Sequence, residues 1–161
     1  MKFADLTEFL KMKTMKLQGD IKINGTRYDK GSDTPWYKIY PFFLFHMLAF
    51  GGSGFILAYA DVDTPLFLQY IMGSLAILAY TVFYLVVFGR DEVKWMFINA
   101  AIGMYGIYCE IGTLLSYFDR SIFDYPLAVH VIPFVYWVLY TFLIRQAILD
   151  ATHSRDRKSV V

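Results

Sequence analysis

Residues 98–118 read INAAIGMYGIYCEIGTLLSYF, an apolar run with Glu110 well inside it. At 1.5 Å per residue a run of this length crosses the roughly 30 Å hydrocarbon core of a bilayer. A charged side chain near the centre of such a span costs about 2.5–3.5 kcal/mol on insertion scales, so its neighbours must compensate. At helical spacing, Gly103, Gly106, Glu110 and Thr113 share one face, with Ala100 just beside them. Small residues in a membrane helix mark a face that another helix approaches closely. That pattern predicts a helix-packing face of Ala100, Gly103, Gly106 and Thr113, with Glu110 turned into the bundle or into a subunit interface rather than towards lipid.

Working outward, this run belongs to the third of four similar windows, at residues 36–60, 65–88, 95–118 and 125–147. The linking strings DVDT, GRDEVK and DRSIFD are short enough to force antiparallel neighbours. The chain has 161 residues, of which 57% are hydrophobic, and its charge is concentrated between the windows; that favours several spans over one soluble core. Aromatic residues gather at the window ends, in PWYKIY, at Trp95 and at Tyr125, as in an interfacial belt. The expected fold is therefore an all-α integral membrane protein, a four-helix up-down transmembrane bundle with a short N-terminal cytoplasmic helix and a β-hairpin. Residues 1–35 form the arm, 36–147 the bundle and 148–161 a polar tail.

Basic residues orient the bundle. They collect in the arm, at Arg90 and Lys94 in the second loop, and at Arg145, Arg155, Arg157 and Lys158 near the end. The first loop has none and the third only Arg120, so both termini are expected in the cytoplasm. The compact ends and the absence of a recognisable targeting segment make a bacterial inner membrane the default placement.

Within the arm, DIKINGTRYD reads as a hairpin around Asn24-Gly25, with Ile23 opposite Thr26 and Ile21 opposite Tyr28. Its Ile21, Ile23 and Tyr28 face needs a cover, whether from a partner, the bundle end or the preceding segment. Before it, Phe3, Leu6, Leu10 and Leu17 would line one side of an amphipathic helix.

Each other span offers polar or small residues on one face. Gln69, Gly73, Ala76, Tyr80 and Tyr84 align in the second, and His130, Phe134, Trp137 and Thr141 in the fourth, where Pro133 predicts a kink. His46, Ala49 and Ser53 align in the first, beside GGSG at residues 51–54. Counting rise along straight helices puts Glu110, His130 and Gln69 in the outer half, roughly 7–12 Å deep, and His46 roughly 20 Å from that face. Glu110, His130 and Gln69 are thus the candidate intramembrane polar cluster, with His46, Tyr80 and Thr141 as secondary candidates.

Other chemistries find little support. His46 and His130 differ by roughly 13 Å in depth, which disfavours bis-histidine haem, and no residue spacing specifies a metal. Cys109 stands alone, there is no Gly-x-Ser-x-Gly, and the glycine run lacks a following Lys-Ser/Thr, so no nucleophile or phosphate loop is indicated. The basic arm has no aromatic nucleic-acid platform. We expect no catalytic residues, cofactor or nucleic acid, with the bilayer and a membrane-protein partner or homo-oligomer as the interacting species. The functional expectation is a non-catalytic accessory or assembly subunit of a larger membrane complex. The alternative is a small oligomeric proton-coupled transporter or channel built on Glu110 and His130.

Overall fold

The structure is a computed structural model that describes residues 14–60 and 65–152. The expected N-terminal helix up to residue 13, the first loop and residues 153–161 of the tail lie outside the described residues, whereas residues 148–151, expected in the polar tail, continue the last helix. The described part is mostly helical: α1 (Trp36–Tyr59), α2 (Leu66–Phe88), α3 (Arg90–Ile102), α4 (Met104–Ser116) and α5 (Val131–Ala151). A 3₁₀ turn at Leu127–His130 leads into α5, and together they form an apolar stretch of 25 residues. With α1 and α2, that makes three helices long and apolar enough to cross a membrane, or four spans if α3 and α4 count as one.

The third window departs from expectation. It is not one straight helix but two 13-residue helices whose axes differ by 74°. The break falls at Gly103, whose N–H closes α3 on the Asn99 carbonyl at 2.8 Å, while its carbonyl receives the Ile107 N–H at 3.1 Å. Glycine has the weakest helix propensity after proline, and Gly103 and Gly106 lie within four residues of each other. Each half is about 20 Å long, too short to cross alone. Together they run from one end of the bundle to the other: α3 starts beside the arm, whereas Ile111 and Leu115 of α4 pack on Tyr59 and Ile122 at the far end.

The α5 helix is the central element and touches all four other helices. Its Tyr136, Leu139, Phe142 and Leu143 join Tyr40, Phe43 and Met47 of α1 and Tyr80, Tyr84 and Val87 of α2 in the main core. Close approach is built on small residues: a Cβ on Gly54 would stand 3.3 Å from the Tyr136 ring, and one on Gly73 only 2.7 Å from Ile132. The buried Tyr84 hydroxyl donates to the Leu139 carbonyl at 2.9 Å. Pro133, expected to kink this helix, lies in its first turn, where a missing N–H breaks no established ladder. Phe45, Leu48, Phe67, Met72, Leu75 and Leu78 point outward, so the bundle is apolar outside as well as inside.

The arm packs onto one end. Strands β2 (Ile21–Ile23) and β3 (Thr26–Tyr28) pair in the expected register, Ile21 with Tyr28 and Ile23 with Thr26. Asn24 and Gly25 adopt φ of 48° and 82° in the turn, the left-handed pair a type I′ hairpin requires. Arg27 binds Asp29 at 2.8 Å and Asp20 at 3.2 Å on the solvent side, and the Asp29 hydrogen bond leads the effects that raise the guanidinium pKa. Residues 14–16, expected at the end of the amphipathic helix, instead form β1 (Thr14–Lys16), paired antiparallel with β4 (Asp33–Pro35). A β1–β4 clasp holds the hairpin down, so extended pairing wins over helical periodicity there. Met15, Leu17, Ile21 and Ile23 are buried in the main core, and the Gln18 N–H donates to the Val86 carbonyl of α2 at 3.0 Å. The hairpin face is therefore covered by the bundle itself.

Candidate functional site

Glu110, on the second turn of α4, accepts a 2.7 Å hydrogen bond from the indole N–H of Trp137 on α5. An indole N–H is a donor only, so it serves the carboxyl in either ionisation state. The pair lines a groove of about 710 Å³ between α5 and the α3–α4 elbow. Asn99, Gly103 and Gly106 form one wall and Val138, Thr141 and Phe142 the other. At the arm end the groove closes on Glu92 and Arg145, 4.0 Å apart, and the fully buried Gln146 donates to Glu92 at 2.9 Å. The wall is thus polar at both ends and small-sided between them.

Of the expected helix-packing face, Ala100, Gly103 and Gly106 line this groove, and Thr113 does not. Gly103, Gly106 and Thr113 are exposed, and Ala100 alone packs partly on the core. A Cβ on Gly106 would meet nothing within 4 Å. The hydroxyl of Thr113 turns back to its own helix at the Cys109 carbonyl, and that of Thr141 to the Trp137 carbonyl. The bend is the cause, because it directs α4 away from the straight path on which that face was counted.

The expected polar cluster is dispersed as well. His130 is 4% exposed and lies two turns before Trp137 on the chain. Its Nε2 is 3.0 Å from the Ile122 carbonyl and its Nδ1 2.9 Å from the Tyr59 hydroxyl. A carbonyl only accepts, so Nε2–H donates, and in neutral histidine Nδ1 accepts from Tyr59. The rings of Tyr59, Tyr108 and Tyr125 surround the imidazole at 5.6, 6.0 and 6.2 Å. Both nitrogens are engaged, and the arrangement locks α1, the last loop and α5 together at the far end. Gln69 lines a different groove, of about 320 Å³, with Ser53 and Tyr136. Glu110, His130 and Gln69 therefore sit in three separate surroundings.

The secondary candidates also divide. Tyr80 is buried between α1 and α2 near Phe50, while His46 places Nδ1 2.8 Å from the Phe42 carbonyl of its own helix. Helical spacing puts Trp137 on the face of His130 and Thr141 but does not single it out as the partner of Glu110. The usable signal was chemical: an indole N–H at that depth needs an acceptor. In the third loop, Asp124 accepts the Ser121 N–H at 2.7 Å and so caps the short turn Ile122–Asp124. Among the described residues no three His, Cys, Asp or Glu side chains gather as a metal site would require. No protein-family model matches this chain, and no curated protein or solved structure is significantly similar to it.

Proposed function

We propose that this chain is an integral membrane protein, α3 and α4 forming one broken span and both termini facing the cytoplasm of a bacterial inner membrane. Within it, the chain serves as a non-catalytic accessory or assembly subunit whose elbow groove receives a transmembrane segment of another protein. One observation carries the reading: Glu110 and its Trp137 partner lie on an open groove wall, not in the core. In lipid, that exposed carboxyl meets hydrocarbon at a cost of a few kcal/mol. A helix seated on Gly103 and Gly106 removes the exposure and approaches closely enough to pack. The covered hairpin leaves the groove, not the arm, as the docking face.

A second reading has its own support. Polar groups from Glu92 and Arg145 through Asn99 to Glu110 mark a route from the arm end into the bundle, as a proton-coupled transporter needs. In that reading Glu110 carries the proton alone, because both nitrogens of His130 are already bonded.

Native mass spectrometry of the full chain, gently extracted from its own membranes, tests the proposal. Stoichiometric foreign subunits are expected, and Glu110→Leu should release them while the protein remains folded. A pure homo-oligomer whose proton flux is lost in Glu110→Gln, with unchanged expression, would establish transport instead.

A further inference from the structure

A second groove, of about 600 Å³, separates the hairpin from the first turns of α1. The hairpin side carries Asn24 and Thr26, and the α1 side Lys38, Pro41, Phe42 and Phe45. Among the described residues no carboxylate lines it. The side chains of Asn24, Thr26 and Lys38 have no hydrogen-bond or ion-pair partner among the described residues; Lys38 rests its ammonium 5.9 Å from the centre of the Tyr28 ring. A cation that faces an acid-free groove with free donors beside it is complementary to an anion.

The groove does not end at Phe42. Phe42 and His46 also line an apolar slot of about 230 Å³ that continues between α1 and α2, past Phe43 and Phe50 to Ala79 and Phe83. From Lys38 to Phe50 the helix rises about 18 Å. Polar donors thus stand at the mouth, and the aromatic slot begins about 6 Å deeper, at Phe42. An inorganic anion would leave the slot unused, and a plain hydrocarbon would leave Lys38 unused.

We propose that this groove and slot together hold one anionic phospholipid, its phosphate at Lys38, Asn24 and Thr26 and an acyl chain in the slot beyond His46. The site presupposes the bilayer placement proposed above but not the partner, so its outcome is independent of whether the elbow groove is filled. The lipid bridges the arm and α1 at the membrane surface, with Lys38 supplying the headgroup preference and the slot the affinity common to all lipids.

The test is native mass spectrometry of the full chain in mild detergent, titrated separately with dioleoyl phosphatidylglycerol, dioleoyl phosphatidylcholine and glycerol phosphate. One phosphatidylglycerol should bind about fivefold more tightly than phosphatidylcholine, the worth of one surface lysine. Lys38→Gln should bring the two lipids to parity, and Lys38→Arg should keep the preference. Lys22→Gln, on the opposite face of the hairpin, should leave it unchanged, whereas Ala79→Phe, which fills the slot, should weaken both lipids. Parity in the wild type would overturn the site. An equal loss in Lys22→Gln would replace it with a diffuse surface charge. Competition by glycerol phosphate at the lipid's own concentrations would reduce it to a free-phosphate site and also refute it.

Discussion

Alanine introduced at two glycines of this bundle should act in opposite directions. At Gly73 on α2, the added Cβ would stand 2.7 Å from Cγ2 and 3.0 Å from Cδ1 of Ile132, against an ordinary contact of 3.4 Å or more. Ile132 or the helix must therefore retreat by about 0.7 Å, the difference between those distances. Overpacking of this kind costs about 1–3 kcal/mol, and the better helix propensity of alanine returns about 1 kcal/mol. The net expectation for Gly73→Ala is a loss of about 1 kcal/mol, or roughly 2–4 °C in Tm for a chain of this size. At Gly106 on α4 nothing lies within 4 Å, so only the propensity gain remains, and Gly106→Ala should raise Tm by a similar amount. Thermal unfolding in detergent, followed by circular dichroism, measures both. Ile132→Ala in the Gly73→Ala background should recover part of the loss, because the clashing atoms are gone. If Gly106→Ala destabilises the isolated chain as much as Gly73→Ala does, the α4 face is already closed and the elbow groove is not open. If it stabilises the chain yet Gly106→Leu leaves a purified complex intact, the partner sits elsewhere.

Tyr59→Phe should cost about 1–3 kcal/mol, since it strips the buried His130 Nδ1 of its hydroxyl partner; the same melting assay reads it. Gly89→Ala should also destabilise, because the residue joins α2 to α3 at φ 89° and ψ 165°, a region only glycine occupies readily, and a Cβ would press on Gln18 at 3.1 Å; about 1–3 kcal/mol is expected. Arg27→Ala should leave Tm unchanged, because its bonds to Asp20 and Asp29 are largely exposed to solvent, and a measurable drop would show that the hairpin depends on them.

Much of the architecture was legible because hydropathy and turn chemistry act locally. The limits of α1 and α2 follow from long apolar runs, and the hairpin register follows from Asn24-Gly25. The elbow at Gly103 was not legible. Hydropathy measures how apolar a run is and carries no direction, and no proline marked the break. Once α4 turned, every depth counted along a straight third span lost its meaning, which is why Glu110 meets Trp137 and not His130. The β1–β4 pair escaped for another reason: TMK and DTP are too short for a period-2 pattern to show, and their pairing spans nearly twenty residues. The cover of the hairpin depends on where α2 ends, a tertiary fact that periodicity does not contain.

The hydrogen bond from Gln18 to Val86 has a consequence for synthesis on the ribosome. Its two partners lie nearly seventy residues apart in the chain. At roughly 5–20 residues per second, the arm is made several seconds before the end of α2 that will hold it. During that interval Leu17, Ile21 and Ile23 have no bundle to lie on, so the nascent arm is exposed to chaperones and to the membrane surface. Variants that slow elongation between codons 24 and 86 should lengthen that exposure, without altering one contact of the finished protein.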